Sequence, residues 1–178
     1  MRRIAVIGNS GSGKSTVAAL IARRLGAPHV ELDAIYHQPG WVPLPVEEMR
    51  ERVAATVAGE RWVVDGNYSA VRDLVWSRAD TIIWLDLPRL VVARQVVWRT
   101  LRRAAVRKEL WNGNRERWRN LFSLDPEESV IVWSWSKHGT YRRQYTEAMH
   151  DPRWAGLHWI RVPSRRATRQ LLEGRLGE

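Results

Sequence analysis

The sequence predicts an α/β fold, a single domain over residues 1–178 in which a five-stranded parallel sheet is covered by helices on both faces. Short apolar runs alternate with segments of helical spacing, the order that a parallel sheet with crossover helices requires. The apolar runs are continuous, as in strands buried on both faces. A glycine-rich stretch, GNSGSGKST (Gly8–Thr16), separates the first apolar run from the first helical pattern.

The first strand is RIAVI, residues 3–7. In KSTVAALIARRL, Val17, Leu20, Ile21 and Leu25 recur at helical spacing; Gly26 ends this helix and Pro28 follows it. HVELD is the second strand, closing at Asp33. The loop AIYHQPGWVPLP, with three prolines, is too broken for regular structure. VEEMRERVAATVAG is an amphipathic helix stopped by Gly59, RWVVDG a third strand, and DTIIWLDLP a fourth that ends at Pro88. From Arg89 to Val106 the pattern is helical and basic on one side. RKELWNGNRERWRNLFSLDPEES is polar, with turn signals at Asn112-Gly113 and Asp125-Pro126. VIVWSW fits a strand or the start of a helix. TYRRQYTEAMH is helical with Thr140 as its N-cap, GLHWIRVPS is the last strand, and RRATRQLLEGRL is a closing helix capped by Ser164.

Composition narrows the function. There is no cysteine, which excludes a disulfide scaffold and a thiolate metal site. The first apolar run is too short for a signal peptide, and no stretch approaches the ~20 apolar residues of a membrane span. The expectation is a cytoplasmic protein, monomeric or homodimeric, with no membrane partner. Lys and Arg number 29 against 19 Asp and Glu, a formal net charge of +10. That balance suits phosphate-bearing partners, nucleic acid among them; the plainer reading is a solvated arginine-rich surface. Most of the 11 tryptophans are expected to anchor the core.

Gly8-x-x-x-x-Gly13-Lys14-Ser15 is a phosphate-binding loop in its proper strand–loop–helix context. Gly8, Gly11 and Gly13 allow backbone conformations and approaches that a side chain blocks. The amides of Asn9, Ser10, Ser12 and their neighbours through Thr16 can then turn toward a phosphate, helped by the positive end of the following helix. Lys14 supplies a charge for the β- and γ-phosphates of ATP, and the Ser15 hydroxyl a ligand for Mg²⁺. No Asn-Lys-x-Asp guanine reader is present. Asp86 is followed by Leu87 and Pro88, so the glutamate of a hydrolysing ATPase is missing.

The order of phosphate loop, VVDGNYS, ADTIIWLDLPR and a basic helix resembles the small nucleotide kinases around adenylate kinase. More closely, HVELDAIYHQPGW, RWVVDGNYS and DTIIWLDLPR are similar to adenylate-kinase-related proteins often labelled DNA topology modulation proteins. The similarity covers roughly the first hundred residues and returns at IRVPSRR. It implies a P-loop NTPase of adenylate-kinase-like three-layer α/β/α form, ATP with Mg²⁺ as donor, and a helical arginine-rich lid as an insertion over residues 98–140. By the same resemblance, Asp33 contacts the acceptor hydroxyl, the alternative being a turn or helix-cap aspartate. Asp65 serves the metal with Ser15, with Asp86 as the alternative carboxylate. Gly66 lets the chain turn under the acceptor, and Asn67 offers it an amide. Here NYS replaces the Phe-Pro-Arg that grips AMP in adenylate kinases, which argues against AMP; Arg72, one turn later, is a replacement charge. Tyr36 and Trp41, with His37 and Gln38, lie in the loop that faces the acceptor.

Nine basic residues, Arg94, Arg99, Arg102, Arg103, Arg107, Lys108, Arg115, Arg117 and Arg119, stand against Glu109 and Glu116 in the next segment. Arg99 and Arg103 share a helix face and are the candidates to stabilise the moving phosphoryl group. The same cluster, interleaved with Trp98, Trp111 and Trp118, can instead be a solvated helix face or a grip on single-stranded nucleic acid. The expected activity is transfer of the γ-phosphate of ATP to a small acceptor: a nucleoside, a nucleotide or a related metabolite. The alternatives are a nucleic-acid-binding P-loop ATPase or regulator of DNA topology, and a nucleotide switch.

Overall fold

Parallel pairing of apolar strands organises the chain. The computed structural model describes residues 1–106, 109–115 and 129–174. Strands β1 (Arg3–Gly8), β2 (His29–Glu31), β3 (Trp62–Asp65), β4 (Thr81–Leu85) and β5 (His158–Val162) form a five-stranded sheet of order β2-β3-β1-β4-β5, parallel throughout. The described helices are α1 (Lys14–Leu25), α2 (Leu32–Tyr36), α3 (Val46–Thr56), α4 (Ser69–Arg78), α5 (Arg89–Ala105), α6 (Val130–Met149) and α7 (Arg165–Leu172).

Successive strand residues point to opposite faces, so each apolar run feeds two cores. Ala5, Ile7, Trp62, Val64, Ile82 and Trp84 join Met49 and Val53 of α3, Val71 and Val75 of α4 and Tyr145 of α6. Ile4, Val6, Val63, Ile83 and Leu85 face Val17, Ala18 and Ala22 of α1, with Ala167 and Leu171 of α7 against them. This is why the central strands β1, β3 and β4 read as apolar runs, whereas the edge strands β2 and β5 are less buried and carry polar residues. Trp62, Trp76 and Trp84 are core anchors as expected, whereas Trp98, Trp133 and Trp135 are exposed. Among the described residues, no helix is long and apolar enough to cross a membrane.

Several boundaries differ from the sequence reading. The second strand ends at Glu31, and Leu32 opens α2, so Asp33 lies in a helical first turn. The cause is Leu32, which turns into the core under Gly66. A Cβ on Gly66 would lie 2.7 Å from Leu32 Cβ, and Gly66 has φ +145°. The supposedly irregular loop therefore begins as a helix. It then tightens through a 3₁₀ turn at Pro39–Trp41, closed by Gln38 N–H to Val42 O (2.8 Å) and Leu44 N–H to Tyr36 O (2.8 Å). α3 stops at Thr56, ahead of Gly59. Helix α4 was not anticipated; its buried positions Val71, Val75 and Trp76 occupy a short span directly after a turn. VIVWSW is helical, and Thr140 is not an N-cap but sits inside α6. That helix starts at Val130 and is N-capped by Ser129, whose Oγ accepts from Val132 N–H. Ser164 caps α7 by accepting from Ala167 N–H (3.1 Å), as expected. The Asp125-Pro126 turn lies outside the described residues.

Register places the candidate residues together. Val6 and Glu31 both pair with Asp65, and Gly8 pairs with Leu85, so the loop after β1 and the ends of β2, β3 and β4 share the carboxyl edge of the sheet. Ligands of open α/β sheets bind outside that edge, where strand order reverses.

Candidate functional site

In the loop between β1 and α1 the Ser10 and Ser12 amides, expected to face a phosphate, donate instead to Asn9 (Oδ1 at 2.8 Å and O at 3.1 Å), so the donors left for a ligand lie at the start of α1. Gly13 has φ +91° and provides no side-chain cap, so the first-turn amides of α1 remain for a ligand. The loop is braced from α6: Asn9 Nδ2 donates to Ser134 O (2.7 Å), and Ser134 Oγ to Ser10 O (2.8 Å). Asn9 Oδ1 accepts from Ser10 N–H (2.8 Å), so the Asn9 side chain shapes the loop. The Ser12 hydroxyl is buried without a partner among the described residues. From α5, the Gln95 amide donates to Gly11 O (2.7 Å) and accepts from Arg165 Nε (3.1 Å). Arg99 Nη2 reaches Ser10 Oγ at 3.4 Å, which puts this arginine over the loop. Arg103 is half-buried one turn further on, whereas Arg94, Arg102 and Thr16 are exposed. Arg115 pairs with Glu109 (3.7 Å) across a small antiparallel bridge. Arg107, Lys108, Glu116, Arg117, Trp118 and Arg119 lie outside the described residues.

Beneath Lys14, Ser15 Oγ donates to Asp65 Oδ1 (2.9 Å), and the other oxygen of Asp65 meets His29 Nε2 at 2.7 Å. Asp65 is 2% exposed. The Asp65 hydrogen bond raises the His29 pKa above 6.5, against burial, which lowers it. A hydroxyl beside a carboxylate, both oxygen donors, fits Mg²⁺, which binds through one or two carboxylates and substrate phosphates rather than in an all-protein cage. Among the described residues, no group of three or more His, Cys, Asp or Glu could hold a metal ion. Asp86 is engaged otherwise. Arg161 Nη2 and Nε lie 2.5 and 2.9 Å from its Oδ2, and Arg142 Nε lies at 3.4 Å. These guanidinium groups hold Asp86 as the counter-ion that ties β5 and α6 to β4.

Past Asp65, the chain builds a polar aromatic site. Tyr68 OH donates to Asp33 Oδ1 (2.7 Å), and burial together with Asp33 pushes the phenol pKa well up. Tyr36 packs on Tyr68 with ring centroids 4.7 Å apart. Gly66, Asn67, Tyr68, Arg72, Trp76 and Tyr145 line a narrow cavity. Arg72 lies over the rings of Trp76 (5.1 Å) and the buried Tyr145 (5.8 Å). Asn67 is committed elsewhere: its Oδ1 accepts from Gly8 N–H (3.2 Å), and its Nδ2 donates to Gly8 O. Its amide therefore staples β3 to the phosphate loop.

Trp41 is clamped by the 109–115 segment. Its N–H donates to Asn114 Oδ1 (2.9 Å) and its indole N–H to Arg115 O (3.2 Å). Asn112 Nδ2 donates to Ala34 O (3.0 Å) and His37 O (2.6 Å), and Trp111 Nε1 to Glu31 Oε2 (2.9 Å). Sequence reasoning marked Asn112-Gly113 only as a turn. It missed His29, Tyr68, Asn112, Asn114 and Arg161, whose partners lie tens of positions away.

Two half-buried histidines, His29 and His37, are expected to titrate on opposite sides of 6.5 in the metal-free protein. Burial lowers the His37 pKa, opposed by Asp33, whereas Asp65 raises that of His29. The stability contributed by His29 is complete below 6.5 and is lost as pH rises through its folded pKa. That contributed by His37 is complete above 6.5 and declines as pH falls toward its folded pKa. Ring-proton titration by NMR measures both; a His37 that titrates above 6.5 means that Asp33 outweighs burial.

No protein-family model matches the chain, and neither does any curated protein. Solved structures do. A gluconokinase from Sinorhizobium meliloti 1021 superposes with a TM-score of 0.52 at 21% identity, over 98% of this chain and 89% of its own. A shikimate kinase from Acinetobacter baumannii, in complex with shikimate, gives 0.53 at 14% identity, over 99% and 91%. A shikimate kinase from Bacteroides thetaiotaomicron gives 0.51 at 15%, over 97% and 95%. The fold is that of the small P-loop kinases. The expected three-layer architecture and its parallel sheet are thus borne out along nearly the whole chain.

Proposed function

We propose that the protein is an ATP-dependent phosphotransferase that moves the γ-phosphate to a hydroxyl of a small metabolite. The observation that carries this reading is the meeting of two different sites on one sheet edge. The phosphate loop with its Ser15–Asp65 pair lies on one side, and a carboxylate set among tyrosines, Asp33, on the other. A hydrolase needs no second site. The names of the structural neighbours, gluconokinase and shikimate kinase, support the reading, as does the resemblance of HVELDAIYHQPGW and VVDGNYS to the adenylate-kinase-related family.

Lys14 and the α1 amides hold the donor phosphates, and Arg99 and Arg103 on the edge of α5 offset charge on the group in flight. Ser15 and Asp65 hold Mg²⁺, which when bound neutralises phosphate charge. Tyr68 occupies one oxygen of Asp33, and no described residue donates to the other, which faces the acceptor hydroxyl and takes its proton. Arg72 offers donors to a polar or anionic group elsewhere on the acceptor, and Gly66, Tyr36 and Trp41 wall the site.

A screen of metabolite pools with labelled ATP tests this. The correct acceptor speeds ADP release, and Asp33→Asn lowers that stimulated rate by about 10²–10⁴-fold while nucleotide binding persists. If polynucleotide stimulates ADP release and no metabolite does, the nucleic-acid reading replaces this one; the exposed Trp98, Arg94 and Arg102 of an α5 that has no acidic residue are the surface to mutate next.

A further inference from the structure

The geometry points to His29 as the positioning residue for the metal carboxylate, an inference that rests on Asp65 serving Mg²⁺ as proposed above. Asp65 ends β3 with 2% exposure, so both of its oxygens need partners from the protein or a ligand. Ser15 Oγ takes Oδ1 at 2.9 Å, and His29 Nε2 takes Oδ2 at 2.7 Å from the opposite side. A carboxylate held at both oxygens cannot turn about its Cβ–Cγ bond. Its plane is thereby fixed with Oδ1 toward the phosphate loop. His29 is itself held by the sheet: it opens β2 and pairs in register with Val63, two residues before Asp65.

Losing the imidazole frees Oδ2 in a buried site. The carboxylate then rotates to find another donor, and the Ser15 hydroxyl loses the acceptor that orients it toward the cation. Partners that orient metal-binding groups in this way typically change metal affinity 10–100-fold when removed. His29 touches neither the nucleotide loop nor the acceptor cavity. Its removal is therefore expected to act on the metal–nucleotide complex and not on the metal-free nucleotide.

The test uses the full chain, with Mn²⁺ as the paramagnetic probe and ADP as the nucleotide. Binding of Mn²⁺·ADP is read by electron paramagnetic resonance, ADP alone by calorimetry, and folding by thermal melts. His29→Leu is expected to weaken Mn²⁺·ADP about tenfold or more and to leave ADP alone unchanged. His29→Gln, whose amide nitrogen falls near the place of Nε2, restores most of the affinity. His29→Asn, whose amide falls near Nδ1 and cannot reach Asp65, behaves like His29→Leu and replaces it if the leucine variant does not fold. Wild-type affinity for Mn²⁺·ADP in folded His29→Leu or His29→Asn overturns the inference, as does equal weakening of ADP alone. Asp65→Asn separates the two levels. If it too keeps Mn²⁺·ADP affinity, the metal role of Asp65 fails; if it alone weakens the complex, only the role of His29 does.

Discussion

Lys14→Met is expected to lower the rate of phosphoryl transfer on the order of a thousandfold while the fold persists. Lys14 is the first residue of α1, half-buried, and no carboxylate among the described residues pairs with it. Its charge is therefore unpaired by any described carboxylate. Methionine keeps an unbranched stem of similar length and a similar helix propensity, so the change isolates the ammonium group. The amides at the start of α1 and its positive end still hold the β-phosphate, which limits the loss in ground-state binding. The charge that grows on the bridging and γ-oxygens during transfer loses a point partner. The effect should thus fall on kcat far more than on the KM for ATP. Steady-state kinetics with the acceptor found by the screen, beside nucleotide calorimetry, measure the split. Transfer at the parent rate would remove Lys14 from the reaction.

What could be read in advance was local. Strands β1, β3 and β4 were legible as apolar runs because both of their faces are buried, as the two cores around Ala5/Ile7 and Ile4/Val6 show. The edge strands β2 (HVE) and β5 (HWIRV) carry polar residues and were legible from their place in the strand–helix alternation. The phosphate loop was legible because its glycines, lysine and serine act within nine consecutive residues. The acceptor side was only partly so. Asp33 was placed at a strand end, but packing of Leu32 beneath Gly66 put it on a helix. Asn67 looked like a substrate amide until Gly8 was seen to use both of its polar atoms. Asp86 had the look of a metal carboxylate, but Arg161 and Arg142, distant in sequence, surround it. His29 sits in a short strand without a motif and meets Asp65 only through the register of β2 beside β3. In each case the deciding contact joins segments that no spacing rule connects.

Gly11→Ala is expected to cost about 2–4 kcal/mol of stability, from left-handed strain and forced overpacking together. Gly11 has φ +84°, and a Cβ there would stand 2.8 Å from Val96 Cβ and 3.2 Å from both Val92 O and Val96 N, all on α5. None of these atoms can swing aside as a side-chain tip does, so α5 must move off the loop. This makes a discriminating double-mutant cycle in urea. Val96→Ala keeps the clashing Cβ and should show no rescue beyond additivity. Val96→Gly removes it and should couple favourably with Gly11→Ala, despite the ~1 kcal/mol that glycine costs a helix interior. Rescue by Val96→Ala would place the conflict in the outer methyl groups and leave the helix axis where it is. The displacement also has a functional arm. Arg99 reaches Ser10 from the same face of α5, and Gln95 bonds Gly11 O directly, so a shifted helix draws both away from the donor phosphates. Transfer should then fall further than the loss of folded protein explains, measured at temperatures where Gly11→Ala is still fully folded.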